Sequence, residues 1–375
     1  METNSHFRPT RALIDLDAIR YNVACLKMHL ESGVQIIAVI KANAYGHGDL
    51  EVAKAALEAG ASMFAVATAD EAIHIRAHFP ETPILVLGAT PVSFAPYAAK
   101  ERVTLTVFSK EWVEQVKALQ HSWQEPLNLH IKIDSGMGRI GVRNREELLG
   151  LYSAIKSVDY LSVDGVFTHF ATADEEDTSF FDKQVNIFDE LVAQLPEKPK
   201  LVHASNTATS LVKEKRLQFD AVRFGISMYG LTPSSYVGQI LPFPLKPAFS
   251  LETELVHVKR IEAGESVGYG ATFTAEKEMW VGTLPIGYAD GMIRKLGNQE
   301  VLIGGERAPI IGRICMDQCM IKLPHSFKVG ELVTLIGRQK DAFIPIEEWA
   351  TRLETISYEI PCIITARVPR IHSGK

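Results

Sequence analysis

The sequence predicts a (β/α)8 TIM barrel followed by a C-terminal all-β domain, and three observations carry that expectation. Over the first two-thirds of the chain, short β-rich runs alternate with amphipathic stretches. At 241–249 the texture changes, with three prolines in LPFPLKPAF. Beyond that point the apolar runs are short and broken by Gly and Pro, which reads as β structure alone.

The eight barrel strands are expected near 35–41, 63–68, 84–87, 103–108, 127–134, 163–169, 201–205 and 221–229. Helical spacing of apolar residues, every third or fourth position, marks 50–59, 69–77 and 179–194. A doubly wound sheet is the alternative. No G-x-G-x-x-G turn follows the first strand, which weighs against it. Later strands are expected at 254–261, 279–285, 300–303, 308–314 and 331–336. The expected boundary puts 1–243 in the barrel and 244–375 in the β domain. A strand at about 11–16, ahead of a helix at 17–30, is a candidate to join the β domain. No internal repeat is visible.

Composition narrows the class of function. The chain has 375 residues, 46% hydrophobic and 22% charged, which suits a globular protein of two domains. A net charge of -6 offers no reason to expect a nucleic-acid partner. No run reaches the 18 apolar residues of a membrane span, and the first ten residues lack the apolar core of a signal peptide. Four cysteines, Cys25, Cys315, Cys319 and Cys362, are too scattered for a disulfide framework. Cys315 and Cys319 lack the second Cys/His pair that zinc would need, so no metal is expected. A cytoplasmic enzyme is the simplest class that fits.

Lys41 carries the chemistry. It ends the first expected strand, in AVIKANAYGHG (38–48). A lysine at the end of a buried strand is costly without a partner. In a barrel, that end is the mouth where catalytic side chains gather. A desolvated lysine can act as a nucleophile toward a carbonyl. On position alone, a lysine snorkelling out of a strand end is the commoner reading.

The surrounding residues reverse that judgement. The segment Val39-Ile40-Lys41-Ala42-Asn43-Ala44-Tyr45-Gly46-His47-Gly48 resembles the cofactor-lysine signature of the alanine racemase family, fold-type-III enzymes that use pyridoxal 5'-phosphate (PLP). That family joins a (β/α)8 barrel to a C-terminal β domain. Further resemblances follow in order. They are KIDSGMGRIG (132–141), FTHFA (167–171), HASNT (203–207), VRFGI (222–226), VGYG (267–270), PIGYADG (285–291), ICMDQ (314–318) and SYEIP (357–361). They cover nearly the whole chain.

The resemblance implies a two-base racemisation of L- and D-alanine. PLP linked to the substrate nitrogen delocalises the carbanion left when the α-proton departs. Lys41 would hold PLP and act as one base, and Tyr269 would act on the opposite face. A phenol's reference pKa is near 10, so such a base needs neighbouring cations. The family supplies them through a histidine and an arginine, here His169 and Arg223. Arg223 would also face the pyridine nitrogen. An arginine does not give up its proton, so that nitrogen would stay unprotonated and transamination would be disfavoured. His203 would support Arg223.

For the phosphate, the resemblance implies Tyr45, Tyr358, Thr207, Gly225 and Ile226. Thr207 stands where serine is common in the family. Arg139 and the backbone N–H of Met316 would meet the substrate carboxylate, and Arg139 would also contact the ring oxygen of PLP. Lys132 matches a lysine that relatives often carbamylate, and Tyr288 and Asp317 would line the entrance, with Tyr288 favouring small side chains. In the family the tyrosine and methionine come from a partner subunit, so a homodimer with shared active sites is implied. Production of D-alanine for cell-wall precursors is implied too. Taken singly, Arg139 reads as a surface cation, His169 and His203 as strand-end histidines, and Tyr288 and Tyr358 as core. The rival functions are a serine or broad-specificity racemase of this fold, a basic amino-acid decarboxylase, and a non-catalytic PLP carrier.

Overall fold

A computed structural model describes residues 7–119, 123 and 125–374. The chain divides into two compact units. One comprises 18–44 and 49–246, the other 1–17, 45–48 and 247–375. Among the described residues, no helix is long and apolar enough to cross a membrane.

A first strand, β1 (Arg11–Asp15), belongs to the second of these units. The barrel unit holds eight parallel strands. They are β2 (Gln35–Val39), β3 (Met63–Val66), β4 (Ile84–Val86), β5 (Val103–Val107), β6 (Leu127–Lys132), β7 (Leu161–Phe167), β8 (Leu201–His203) and β9 (Ala221–Phe224). They pair in the order β8-β7-β6-β5-β4-β3-β2-β9. The ends of that series meet: the Asp220 N–H donates to Val202 O (3.0 Å) and the Arg223 N–H to Ser205 O (3.0 Å). This circular order makes the sheet a barrel and removes the doubly wound alternative. MFAV in β3 and VTLTV in β5 are buried throughout, as strands covered on both faces must be.

Helices return the chain between strands, and their starts are written in the sequence. Thr68 and Glu71 form a capping box for the helix Ala69–His78. Ser109, Asn144 and Asn206 cap Lys110–Ala118, Arg145–Lys156 and Thr207–Val212 through their side-chain oxygens.

The β unit adds β10 (Phe249–Glu254), β11 (His257–Ile261), β12 (Ser266–Val267), β13 (Phe273–Thr274), β14 (Met279–Leu284), β15 (Glu300–Ile303), β16 (Glu306–Ile311), β17 (Cys319–Leu323), β18 (Leu332–Gln339), β19 (Ala342–Ile344) and β20 (Arg370–Ser373). The main sheet runs β11-β14-β17-β16-β15-β18-β10-β1-β20, with β19 on β18. β10 alternates buried and half-buried residues, the period of a sheet covered on one face. β1 pairs antiparallel with β10 and parallel with β20, so strands far apart in sequence are neighbours in this sheet.

All eight expected barrel strands end early, and two of those ends bear on the site. β2 stops at Val39, so Lys41 is not the last residue of a strand but the first of a six-residue turn, Lys41–Gly46. β9 stops at Phe224 and passes into a 3-10 turn, Ile226–Tyr229, where Gly225 breaks the extended backbone.

Candidate active site

The turn that begins at Lys41 is left-handed. Ala42, Asn43, Ala44 and Tyr45 have φ of 53°, 53°, 52° and 53°. Side chains with a Cβ resist this conformation at about 1–2 kcal/mol per residue, so it persists only where surroundings enforce it. Several contacts within the barrel unit do so. The Ala42 N–H donates to Glu71 Oε1 (2.7 Å), and the Asp49 N–H to Asn43 Oδ1 (3.0 Å). Tyr229 anchors the preceding strand by donating its hydroxyl to Val39 O (2.9 Å). Glu71 and Tyr229, which motif reading missed, therefore fix the backbone on both sides of Lys41. Glu71 was visible only as the capping-box partner of Thr68.

Arg223, Lys132, Thr168, His169, His203 and Ala204 meet at the ends of β6 to β9. Arg223 is buried and its guanidinium is fully directed. Nη1 donates to His203 O (2.8 Å) and His203 Nδ1 (2.8 Å). Nη2 donates to Thr168 O (2.7 Å) and Ala204 O (2.8 Å), with His169 Nδ1 at 3.4 Å. Burial and the Arg139 cation push Arg223 down to about 9, which still leaves it charged at neutral pH. His203 stacks on the Phe167 ring at 4.7 Å, 7° from parallel.

Positive charge converges here. Burial holds His169 well below the ordinary histidine range, and Arg223, Lys132, Arg139 and Lys41 push it the same way. Lys132 is buried, with Nζ over the Phe167 ring at 4.5 Å and no hydrogen-bond acceptor. Burial, then Arg223 and Arg139, hold its ammonium well below its usual range. Arg139 is exposed. Thr207 Oγ1 accepts from the Gly225 N–H (2.9 Å), and both residues are buried beside Ile226. The barrel unit thus gathers Lys41, Lys132, His169, His203, Thr207, Arg223, Gly225 and Ile226 at the ends of its strands, with Arg139 in the loop after β6.

The buried histidines have a consequence for stability. Burial pushes His130 down to about 4, and His203 is likewise lowered, mostly by burial and then by Arg223. The folded values lie below the unfolded value near 6.5, so the unfolded chain takes up protons first as pH falls. Stability is therefore retained at neutral pH and lost as pH drops from 6.5 toward 4. For His130 alone the loss by pH 5 is about 2 kcal/mol. Urea denaturation at pH 7 and pH 5 checks this: the midpoint should fall more steeply with acid in the parent chain than in His130→Gln.

The β unit presents the other residues. Tyr45 and Tyr358 face each other at 6.3 Å between ring centroids. Gly46 is tied into this unit, its carbonyl accepting from Arg370 Nε (2.9 Å), and a Cβ at Gly46 would lie 2.2 Å from Pro361 O. Tyr269 sits in a tight turn between Gly268 and Gly270, with φ of 79° and 72°, and is 71% exposed. The loop bearing Met316 lies beside this turn, since a Cβ on Gly312 would lie 2.7 Å from Val267 O. The Tyr288 and Ala289 N–H groups donate to Cys315 O and Met316 O (both 3.0 Å). Gly287 permits that approach, because a Cβ there would sit 2.4 Å from both carbonyl oxygens. Asp317 is held by Arg367 (2.7 Å). Tyr269, Tyr288, Met316 and Asp317 therefore share one edge of the β unit. Among the described residues, no group of three or more His, Cys, Asp or Glu is placed to hold a metal.

Comparison with known proteins finds two family domains along the chain. The alanine racemase N-terminal domain model matches residues 14–233 and the C-terminal domain model matches 248–372. The chain is 52% identical over 368 residues to an alanine racemase of Geobacillus stearothermophilus, covering 98% of this chain and 94% of that one. A solved alanine racemase of Bacillus anthracis with bound L-Ala-P superposes with a TM-score of 0.96 at 47% identity, covering 99% and 96% of the two chains. A histidine racemase of Leuconostoc mesenteroides superposes at 0.92 with 32% identity, covering 99% and 100%.

Proposed function

This chain belongs to the alanine racemase family and is an alanine racemase, and we propose that it works by two bases, Lys41 and Tyr269, with PLP held at the barrel mouth. The observation that carries this is the fixed Arg223 guanidinium among converging cations at the strand ends.

The residues present fit PLP. The cationic surroundings suit a dianionic phosphate and a carboxylate-bearing substrate. Arg223 spends Nη1 and Nη2 on the barrel wall, and its remaining Nε–H is the donor we assign to the pyridine nitrogen. Thr207, whose oxygen accepts from Gly225, keeps its hydroxyl hydrogen for the phosphate. An entering phosphate would share the Gly225 N–H with Thr207 and take the Ile226 N–H as well. The Tyr45 phenol is pushed up by burial, so it remains a neutral donor, as the phosphate requires. Tyr358 beside it is the second phenol. When bound, PLP supplies an electron sink that makes the α-proton of alanine removable.

The chain's own residues do the rest. Lys41 would hold the cofactor, and its amine would move a proton on one face of the substrate α-carbon. Tyr269 moves it on the other. Arg223 is the cation, and His169 beside it the ring donor, that favour the tyrosine's ionised form. Arg139 and the Met316 N–H take the carboxylate. Tyr288 narrows the approach, with Asp317 beside it. Lys132 Nζ is buried without a hydrogen-bond acceptor, and burial and Arg223 favour loss of its proton; deprotonated, it would be a nucleophile toward carbon dioxide, and its carbamate would supply Arg139 with an anionic partner.

Tyr269 and Met316 would serve the partner's barrel in a homodimer. Their exposure, 71% and 52%, together with Tyr288 at 43%, leaves large apolar side chains on one edge of the β unit. A cytoplasmic enzyme supplying D-alanine for cell-wall precursors is the role we assign.

A histidine racemase with this fold shows that architecture does not fix the substrate, so a serine or broader racemase is the second reading. Borohydride reduction followed by peptide mass mapping tests the anchor, with the cofactor's mass expected on Lys41. A panel of L-amino acids followed by optical rotation tests the substrate. Alanine should lose rotation fastest, and faster turnover of histidine or serine would replace this reading. Carbon dioxide released from lysine or ornithine would point to a decarboxylase, and no turnover at all to a carrier.

A further inference from the structure

We propose that His130, in the middle of β6, is a positioning residue that holds Arg223 in place through His203. The inference rests on the reading of Arg223 as the partner of the cofactor ring, yet its physical core concerns hydrogens that the chain itself holds.

The donors decide the arrangement. Arginine has no acceptor, so Arg223 Nη1 must donate to His203 Nδ1 at 2.8 Å. A neutral His203 with Nδ1 accepting carries its hydrogen on Nε2. That hydrogen points at His130 Nδ1, 3.0 Å away, which must therefore accept. His130 in turn carries its hydrogen on Nε2. Three side chains from β9, β8 and β6 thus form one directional chain whose tautomers are set by the permanent charge at one end.

Two strands are shaped to admit the His130 ring. Gly165 on β7 lies against it: a Cβ there would sit 2.6 Å from both Cδ2 and Nε2. The β6–β7 ladder also shifts register between Leu129 and His130. His130 is 1% exposed and His203 fully buried, so an imidazole placed here only to fill space would cost desolvation that Leu or Phe would not. The bond to His203 offsets that cost and leaves His203 one usable tautomer. If His203 turned to the other tautomer, an Nδ1–H would face the Arg223 Nη1–H, donor against donor. Arg223 would then keep only its carbonyl contacts and the 3.4 Å approach to His169.

Solid-state 15N spectra of the histidine-labelled full chain at pH 7 test this without reference to turnover. His203 and His130, assigned by their loss in His203→Asn and His130→Gln, should both show an unprotonated Nδ1 and a protonated Nε2. An Nδ1–H or an imidazolium at either residue overturns the proposal, even if no variant at 130 folds well. His130→Leu removes the acceptor, so the His203 signal should shift or split, and kcat should fall about tenfold with KM for alanine little changed. His130→Gln, whose amide oxygen can accept, should restore most of both. An unchanged His203 signal in His130→Leu, or equal behaviour of the Leu and Gln variants, means that His130 is only core. Failure of Lys41 labelling alongside the expected spectra would overturn the cofactor reading and leave the hydrogen chain standing.

Discussion

Tyr269→Phe is expected to lower alanine racemisation by about a thousandfold or more, the range that a positioned acid–base group contributes. Cofactor binding should survive, because the phenol lies among none of the groups assigned to the phosphate or the ring. The substitution removes one oxygen and keeps the ring, so the Gly268–Gly270 turn has no reason to change. Its effect should be asymmetric between enantiomers. Lys41 still serves one face, so in heavy water one enantiomer should exchange its α-hydrogen for deuterium without inverting. The other should neither exchange nor invert. Mass spectrometry of each enantiomer after separation reads this directly. If both exchanged at parent rates while racemisation stayed high, Tyr269 would not be a base.

Lys41 was legible because a ten-residue motif surrounds it and a lysine is unusual directly after a buried strand. The conformation of that motif was not legible. Four successive non-glycine residues in the left-handed region contradict local propensity, and the contact that enforces it at Ala42 comes from Glu71, which a sequence window around Lys41 excludes. Alternation of strands and helices disclosed the barrel, since strands buried on both faces are continuous apolar runs. Strand ends were less visible, because β2 and β9 stop where function needs the chain to turn, at Ile40 and Gly225. The strand β17 was overlooked between Gly312 and Pro324, where CMIKL is too short to show its alternation clearly.

Among candidate site residues, those lying in contiguous motifs were named and those acting through space were not. Tyr229 reads as core until its hydroxyl is seen on Val39 O. His130 reads as a satisfied strand histidine until His203 is placed beside it. Arg223 and His169 were named from motifs more than fifty residues apart. Only folding brings them to β9 and β7 as strands of one barrel.

The proposal that two subunits share each active site leads to the second large effect. A preparation of Lys41→Ala and a preparation of Tyr269→Phe should each be nearly inactive. If each site takes its lysine from one subunit and its tyrosine from the other, a mixed dimer carries both lesions in one site and neither in its second site. Random reassortment makes about half of all dimers mixed, and each has one intact site of two, so about a quarter of parent activity should return. If both bases came from the same chain, every site in every dimer would lack one of them and mixing would restore nothing. Co-expression with two different affinity tags, sequential purification of the mixed species and an alanine racemisation assay separate these outcomes. Among purified mixed dimers, activity near half of the parent value is expected, and a value indistinguishable from the single variants would place both bases in one subunit. The exposed edge that carries Tyr269, Tyr288 and Met316 supplies the physical reason to expect recovery. On the proposed reading, large apolar side chains presented together there would be stabilised by a second copy of the chain, whose barrel would bring the cations that the phenol needs to take up protons.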